Sequence, residues 1–239
     1  MSKTTTKRVI AIHQPNFIPW PGYYHKISQA DVFVFLDTVE FTKGGFINRN
    51  KIKFSNGSAN WLTVPVQVSK STRQKINETA LNQHQNWKDK HLKTLQSNYG
   101  KAPFFKNYFP QFEMLYRENF DTISQFNIAL SKFILDVLDI RSKIIIASEM
   151  EIDHRLTRND LLIEICKTLS ADVYLSGSGA QKYNDEALFN KNDIELVYQT
   201  FTPPVYPQQH GDFISHLSTV DLLFNLGPES KQFFLPIMG

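Results

Sequence analysis

The 239-residue chain has a single cysteine, Cys166, which excludes an intrachain disulfide. No apolar run reaches the roughly 18 residues that a transmembrane helix requires. The N-terminal segment MSKTTTKR also lacks the apolar stretch of a signal peptide. These absences predict a cytoplasmic protein with no membrane insertion. Cys166 lies in the apolar pattern LLIEICKTL, which predicts a buried side chain and not a reactive thiol.

A strong charge of one sign is also missing. The formal net charge is only +3, from 26 Lys and Arg against 23 Asp and Glu, which is too small to predict a nucleic-acid partner. No two of the seven histidines lie three to five residues apart, so no metal site is predicted. The weak positive bias favours an anionic small molecule as ligand. No motif identifies a cofactor or an oligomeric state.

Aromatic residues, in contrast, are abundant. The chain has 19 Phe, and aromatic residues make up 13% of it, so aromatic packing or stacking should be prominent. A hydrophobic content of 41% is ordinary for a globular protein, and the length is sufficient for a sizeable core. We expect residues 1–239 to form a single domain.

Short apolar runs alternate with helical patterns along most of the chain. The runs RVIAI, DVFVFLD, SKIIIA, ADVYLS and IELVY predict strands. Helical patterns GYYHKISQA and TRNDLLIEICKTLS each lie between two of these runs, which is typical of parallel βαβ units. Thr157 or Asn159 is placed to cap the second of these helices. The order predicts an α/β fold with a mainly parallel, Rossmann-like sheet.

Two further features modify this plan. The glycine pair Gly44-Gly45 and the pair Asn56-Gly57 are turn signals between β-forming residues, so β-hairpins are expected there. Residues from about 84 to 140 read as a helical insertion that Pro103 and Pro110 interrupt. STVDLLFNLG predicts a late helix, with Ser218 as its N-cap and Gly227 as its end.

Polar loops follow three of the predicted strands. His13-Gln14-Pro15 comes after the first, Ser148-Glu149 after the third, and the glycine-bearing stretch 176–179 after the fourth. In open parallel sheets, ligands bind at the carboxyl ends of the strands, where such loops gather. If these strands are neighbours, the three loops face one crevice.

The stretch SGSGAQKY has features of an anion-binding loop. Gly177 and Gly179 allow the backbone amides to approach an anion, while Ser176 and Ser178 add hydroxyl donors. The Walker ending is missing, and Lys182 stands where a GxGxxG motif has its third glycine. Contact with a phosphate or carboxylate and a plain tight turn both remain open.

His13 is the leading candidate for acid–base chemistry, because imidazole titrates near neutral pH and the residue follows a strand directly. The alternative is a histidine that only bonds a loop carbonyl. Asp37, just past the second strand, could orient His13, bind a ribose hydroxyl, or simply start a turn. His25 is expected to be exposed, whereas Trp87 and His91 share a helical face and are expected to pack in the core.

Several basic and polar residues could contact an anionic ligand. Arg49, between Asn48 and a second asparagine, is the leading anion clamp. Alternate positions in a strand place Lys51 and Lys53 beside it, and we expect both lysines on a solvated edge. Arg158 begins a helix, where a cation is electrostatically unfavourable, which suggests another role. The stiff loop TPPVYPQQHGDF carries Tyr206 and Gln208 and is either a pocket wall or a surface crossover.

Together these motifs resemble a known family. The segments HQPNFIPWPGYYHKI, FLDTVEFTKGGFINRNKI, WLTVPV, DVYLSGSGAQKY, PPVYPQ and LSTVDLLFNLG occur in this order and are similar to those of the WbqC-like family. The resemblance spans residues 9–227 and departs at Pro21, where many relatives have leucine. It implies a context of bacterial surface polysaccharide, such as O-antigen, or of secondary metabolism. It supplies no established catalytic residue.

A fainter likeness is architectural. A strand, a histidine-containing loop, a helix start and a strand ending in FLD resemble the opening of the HIGH-motif nucleotidylyltransferases. There, the loop histidine and the helix N-terminus hold nucleotide phosphates. The second histidine of that motif is missing here, unless His25, twelve residues after His13, takes its place.

We therefore expect a transferase acting on an activated sugar, or on an amino- or acyl-activated intermediate, in surface polysaccharide assembly. Two alternatives are a non-catalytic accessory protein that binds a nucleotide sugar or a carrier, and a nucleotidylyltransferase-like enzyme. The ligand is expected to be a nucleotide sugar, a nucleotide or an acyl donor. The candidate catalytic residues are His13 and Asp37, and the candidate ligand-binding residues are Gln14, Trp20, Tyr23, Asn48, Arg49, Ser148, Arg158, Ser176, Gly177, Ser178, Gly179, Tyr183, Tyr206 and Gln208.

Overall fold

Five parallel strands form the central sheet of the computed structural model, which describes residues 7–68, 73–84 and 86–235. They are β1 (Val9–His13), β2 (Val32–Phe35), β7 (Lys143–Ile146), β8 (Val173–Ser176) and β9 (Glu195–Tyr198). Their order across the sheet is β7-β2-β1-β8-β9, and every neighbouring pair is parallel. The predicted α/β fold with a mainly parallel sheet is confirmed.

Helices cover both faces of the sheet, which explains why its central strands are continuous apolar runs. The helices are α1 (Pro21–Ser28), α2 (Trp87–Tyr99), α3 (Phe105–Arg117), α4 (Ile123–Leu138), α5 (Arg158–Thr168), α6 (Glu186–Lys191) and α7 (Thr219–Leu226). Ala11 and Phe33 face a core shared with α1 to α4 and α7. Ile10, Ile12 and Val34 face a second core shared with α5 and α6, and buried Cys166 lies there as predicted. The two cores follow the period-two alternation of a strand.

The three consecutive helices α2 to α4 occupy the region expected to be helical. Pro103 lies between α2 and α3, as predicted, but Pro110 lies inside α3 and does not interrupt it, so that prediction is wrong. Pro110 is exposed, and buried Phe112 and Tyr116 on the same helix anchor it to the core. The missing amide of the proline is therefore outweighed by packing.

Helix ends were predicted more reliably than this interruption. Ser218 is the N-cap of α7, where its side chain accepts a hydrogen bond from the amide of Val220, and Gly227 ends the helix with φ +58°. Thr157, not Asn159, occupies the N-cap position of α5. Among the described residues, no helix combines the length and the apolar character needed to cross a membrane.

Two small antiparallel pairs lie beside the sheet. The strands β3 (Arg49–Lys53) and β4 (Ala59–Thr63) form a hairpin whose turn contains Asn56 and Gly57, as expected. The strand β5 (Val66–Gln67) pairs with β6 (Ala80–Leu81). Gly44-Gly45 forms a turn outside any strand, so no hairpin arises there. Lys51 is exposed as predicted, but Lys53 is fully buried, which corrects the expectation of a solvated edge.

Candidate functional site

The sheet reverses its direction of growth between β1 and β8. The chain leaves β1 through α1 towards β2 on one side, and leaves β8 through α6 towards β9 on the other. A crevice at this switch point is where open α/β sheets bind ligands. Ala11 pairs with Leu175, so the same register continued by two residues brings His13 level with Gly177.

The predicted loop Ser148-Glu149 does not share this crevice. Ser148 follows β7, which is separated from β1 by β2. There it meets Asp37, which follows β2. The Asp37 carboxylate accepts hydrogen bonds from the Ser148 amide at 2.9 Å, the Ser148 hydroxyl at 2.7 Å and the Ser124 hydroxyl at 3.3 Å. Of the three roles considered for Asp37, these contacts do not include a hydrogen bond to His13, and the ligand-binding role stays a prediction.

The His13 imidazole is oriented by a backbone carbonyl. Its Nδ1 lies 3.1 Å from the carbonyl oxygen of Gln14, and because that oxygen only accepts, Nδ1 carries the proton and Nε2 the lone pair. Tyr23 donates to the same oxygen at 2.9 Å, and its ring meets the imidazole edge-on at 4.9 Å. Burial, and then the positive charge of Lys26, lower the pKa of His13 to about 3. The imidazole is therefore neutral at physiological pH.

Lys26 was missed by sequence reasoning. It lies on α1, is only 2% exposed, and its Nζ donates to the carbonyl of Ile12 at 3.1 Å. Burial lowers its pKa to about 7, so the amine can gain or lose a proton near neutral pH. Helical spacing was the available signal, because Lys26 shares a face with Tyr23 and Ile27, both of which are buried.

The segment 13–20 is held in place by buried polar side chains from other parts of the chain. Asn127 donates a hydrogen bond to the carbonyl of Pro15 at 2.8 Å. The carbonyl of Ile18 accepts from Asn50 at 2.8 Å and from Ser218 at 2.7 Å. Thr219 donates to the carbonyl of Pro19 at 2.7 Å. Ile18 has φ +32°, a left-handed conformation that a β-branched residue rarely adopts. Such a conformation persists only where surrounding contacts enforce it, so this segment is a preformed wall.

The glycine-bearing loop after β8 is open above its backbone. Ser176 is buried, and its hydroxyl accepts a hydrogen bond from Asn184 at 3.0 Å, so this side chain has a partner inside the protein. Ser178 and Gly179 are exposed. A Cβ added at Gly177 or Gly179 would meet no atom within 4 Å, and neither residue has a positive φ. Neither the turn nor packing requires these glycines, and contact with an anion stays a prediction.

Of the three aromatic ligand-binding candidates, Tyr23 is buried beside His13, whereas Trp20 and Tyr183 are more exposed and differ in their surroundings. Tyr183 is 70% exposed, with the ammonium of Lys182 5.1 Å from the centre of its ring. Trp20 is half-buried, stacks on His216 at 5.0 Å, and contacts Phe201 edge-on at 5.6 Å. Tyr183 is the more accessible platform for a ligand.

The proposed anion clamp lies in the β3–β4 hairpin. The Arg49 guanidinium sits 4.2 Å over the ring of Trp61 and donates to the carbonyl of Gly44. Asn48 donates to the carbonyl of Val64 at 2.9 Å. These contacts fix both side chains, but within the described residues the Asn48 Oδ1 and the Arg49 Nε are buried without a hydrogen-bond partner. The ligand-binding role of both residues stays a prediction.

Arg158 is exposed at the start of α5 and has φ +52°. Because α5 follows β7, this residue lies at the carboxyl edge of the sheet. Its side chain forms no ion pair with any residue that the structure describes. Its predicted contact with a ligand stays open.

Tyr206 and Gln208 belong to a buried polar network. The Asp221 carboxylate accepts hydrogen bonds from the hydroxyls of Tyr206 at 2.7 Å and Tyr99 at 2.8 Å. Gln208 accepts from the buried ammonium of Lys53 at 3.3 Å. Burial raises the pKa of Asp221, while the two tyrosine hydroxyls act in the opposite direction. This network gives Tyr206 and Gln208 a structural role, and the proposed ligand contact stays a prediction.

Packing against neighbouring side chains explains two further histidines, His25 and His91. His25 is half-buried instead of exposed, and its Nδ1 accepts from Gln199 at 2.9 Å while its ring lies 4.6 Å from that of Phe201. His91 and Trp87 are buried with their rings 5.2 Å apart, which confirms the expected core position. Burial lowers the pKa of His91 to about 4.

The depressed pKa values of His13 and His91 predict a loss of stability on mild acidification. Both histidines stay neutral in the folded state, whereas in the unfolded chain they take up protons near pH 6.5. The stabilisation is therefore complete above pH 6.5 and is lost as the pH falls towards the folded values. Each histidine should lower the free energy of unfolding by about 1.4 kcal/mol per pH unit below that point.

Urea denaturation of the wild-type chain and of His91→Gln at pH 7, 6 and 5 measures this effect. The difference in unfolding free energy between the two proteins should shrink as the pH falls, because only the wild type carries the titrating group. A difference that stays constant from pH 7 to pH 5 would contradict the assignment. Comparing the two proteins at each pH cancels the contributions of all other titrating groups.

Comparison with known proteins adds a family match. The model of the WbqC-like protein family matches residues 14–233. The uncharacterized protein Rv1507c of Mycobacterium tuberculosis (strain ATCC 25618 / H37Rv) is 34% identical over 226 residues, which covers 94% of this chain and 96% of that protein. No solved structure matches the chain.

Proposed function

The chain belongs to the WbqC-like protein family, and from this membership and the position of His13 at the switch point of the sheet we propose that it is a transferase in bacterial surface polysaccharide assembly, such as that of O-antigen. Its substrate would be an activated sugar, or an amino- or acyl-activated intermediate. Its mycobacterial relative is an uncharacterized protein, so the proposal depends on the residues at the switch point.

One observation carries the proposal: a neutral His13 whose Nε2 is left as an acceptor at the carboxyl end of β1. The Gln14 carbonyl fixes the tautomer, and the rigid segment 13–20 fixes the ring position. A histidine held in this way can accept a proton without first losing one. A fixed tautomer and a fixed ring position are chiefly needed in a group that contacts a ligand.

In the proposed reaction, an amine or hydroxyl of the acceptor attacks the activated carbon of the donor. The new bond to carbon forms while the bond to the leaving phosphate or thiolate breaks, and the proton of the nucleophile moves to Nε2 of His13. Lys26, whose pKa lies near neutrality, is a nearby group that can gain or lose a proton during the reaction. The leaving group departs with the electron pair of the broken bond.

The loop after β8 is proposed to hold the leaving anion. His13 comes level with Gly177, and neighbouring strands are about 5 Å apart. The backbone amides of Gly177 and Gly179 and the exposed Ser178 hydroxyl would donate to phosphate oxygens there. Tyr183 would stack on the sugar or the base.

A non-catalytic binding protein is the second candidate, and the low pKa of His13 favours it. A base with a pKa of about 3 has little driving force for proton transfer at pH 7, but its Nε2 still accepts a hydrogen bond from a ligand. The two functions differ in one measurable quantity. In a transferase, His13→Ala keeps donor affinity within a few-fold and loses about 100-fold in turnover, whereas in a binder it loses only affinity.

A thermal-shift screen against nucleotides, nucleotide sugars, coenzyme A thioesters and S-adenosylmethionine tests the proposal. A ligand at 100 times its dissociation constant stabilises the folded protein by about 2.7 kcal/mol. The shift should be reduced in Ser178→Ala and preserved in His84→Ala, which replaces an exposed histidine outside the crevice. A ligand that stabilises the protein identifies the donor class. Turnover of the wild type and of His13→Ala is then measured with that donor.

Either of two outcomes would contradict this assignment. A ligand whose stabilisation is unchanged in both His13→Ala and Ser178→Ala binds elsewhere. The absence of any shift across all four classes excludes a soluble activated donor of these types. In both cases, the function of the crevice has to be reconsidered.

A further inference from the structure

A second cleft opens at the same edge of the sheet, beyond β2. It lies between the carboxyl ends of β2 and β7 and the first half of α4, and has a volume of about 620 Å³. Asp37 and Ser148 line it from the sheet side, and Ser124 lines it from α4. No residue of the segment 13–20 lines it, so it is separate from the crevice between β1 and β8. Its volume is in the range of small-molecule sites.

The negative charge of Asp37 in this cleft is not matched by a cation. Its side chain is 2% exposed, and its oxygens accept only from the neutral groups of Ser148 and Ser124. It forms no ion pair with any part of the chain that the structure describes. Buried charges in proteins are ordinarily paired. The exposed Ser148 hydroxyl donates to Asp37, so the lone pairs of its oxygen are available to a donor in the cleft.

The rim of the cleft is also negatively charged. Asp121 and Glu149 are exposed at its edge, and Lys132 is the lysine that lines it. Within the described ranges, no group of three or more His, Cys, Asp or Glu residues converges closely enough to hold a metal ion. The carboxylates are therefore spread along the cleft, which favours an extended organic cation over a single metal ion.

The remaining lining groups are suited to hydroxyl recognition. Asn77 and Gln125 supply amides, Thr122 supplies a hydroxyl, and the ring of Phe120 supplies an apolar face. The oxygens of Gln125 and Thr122 already accept backbone hydrogen bonds at the start of α4, so these two side chains offer mainly their donor groups to a ligand. Amides both donate and accept, as sugar hydroxyls do. The side-chain oxygen of Asn77 is buried without a partner in the described structure, so a donor is needed there.

We propose that this cleft binds an amine-bearing, polyhydroxylated small molecule of the amino-sugar class. The ammonium lies over the Ser148 oxygen with the charge of Asp37 behind it, and the ring hydroxyls bond the amides of the cleft wall. The inference does not depend on the proposed transferase activity, because it uses neither His13 nor the glycine loop. A cationic ligand here and an anionic donor in the crevice are separate predictions.

Titration calorimetry with glucosamine and with glucose at about pH 7, where an amine of this kind is mainly protonated, tests the proposal. The two probes differ only in replacement of the ammonium by a hydroxyl. A charge-assisted contact should make glucosamine bind at least about tenfold more tightly than glucose. Equal affinity for the two probes, or no saturable binding of glucosamine, overturns the proposal.

Variants assign the effect to the cleft. Asp37→Asn keeps the shape of the side chain, and should weaken glucosamine binding about tenfold while leaving glucose unchanged. Lys132→Gln removes a charge of the same sign as the ammonium and should strengthen glucosamine binding, so the two variants have opposite expected signs. His13→Ala should have no effect, which separates this site from the crevice. An unchanged affinity in Asp37→Asn overturns the assignment.

A second variant protects the test against misfolding of Asp37→Asn. Glu149 is exposed and makes no side-chain hydrogen bond with any residue that the structure describes, so Glu149→Gln should fold normally. It should weaken glucosamine binding about threefold, because an exposed charge contributes less than a buried one. An unchanged affinity in Glu149→Gln, together with an unfolded Asp37→Asn, also counts against the cleft.

Discussion

Replacing Asp221 with leucine should lower the free energy of unfolding by about 3–5 kcal/mol, the range seen when one partner of a buried charge pair is removed. Asp221 is fully buried, and its carboxylate accepts from the hydroxyls of both Tyr99 and Tyr206. Lys53, also fully buried, supplies the nearby positive charge. The substitution leaves two buried hydroxyls without their acceptor and removes the negative charge near Lys53, whose ammonium keeps its acceptors on Gln208, Gly211 and Asp212.

Urea unfolding followed by circular dichroism measures the loss, and Tyr206→Phe provides a graded control. Removing that hydroxyl takes one donor from the carboxylate and should cost about 1.5–3 kcal/mol, less than the loss of Asp221 itself. The order of the two variants is the decisive result. If Tyr206→Phe destabilised the protein as much as Asp221→Leu, the carboxylate would not be the centre of this network.

The second large effect is expected at Asn127. This side chain is fully buried on α4, and its Nδ2 donates to the carbonyls of Pro15 at 2.8 Å and Ile47 at 2.7 Å. Asn127→Leu leaves both carbonyls without this donor, but it also removes a buried side-chain oxygen that has no partner among the described residues. We expect a net loss of about 2–4 kcal/mol.

Because Pro15 lies two residues after His13, Asn127→Leu should also weaken binding in the crevice. Any ligand found by thermal shift should bind this variant more weakly, although Asn127 is buried away from solvent. Ser131→Ala is the matched control. It also changes a buried polar residue of α4, but within the described residues the Ser131 hydroxyl, which lies near that of Tyr24, bonds no backbone carbonyl, so its cost should be smaller. Equal losses in the two variants would contradict a specific role for Asn127.

Sequence reasoning succeeded where the relevant information was local. The strand that ends at His13 and the one that ends at Ser176 could be read from short apolar runs, and the cap at Ser218 from one residue type. Parallel strands gather their carboxyl ends at one edge, so topology places the polar loops there, and a ligand site at that edge stays a prediction.

It failed where the outcome depended on which strands are neighbours and on distant partners. Asp37 had three open roles, one of them beside His13, and the position of β7 next to β2 supplies it with Ser148, a partner that the sequence did not indicate. Lys53 was expected in solvent, but the loop containing Gln208 and Gly211 covers it with oxygen acceptors. These pairs are separated by more than 100 residues in the sequence. No local pattern contains such a relationship.

The ties between the segment 13–20 and the start of α7 have a consequence for biosynthesis. Ser218 and Thr219 each bond a carbonyl that precedes them by 200 residues. Domains fold as they leave the ribosome, from the N-terminus onwards, and contacts between distant residues form last. The segment 13–20 is therefore among the first to be synthesised and among the last to take its final shape. A nascent chain that stops short of α7 should carry the histidine without the rigid loop that positions it.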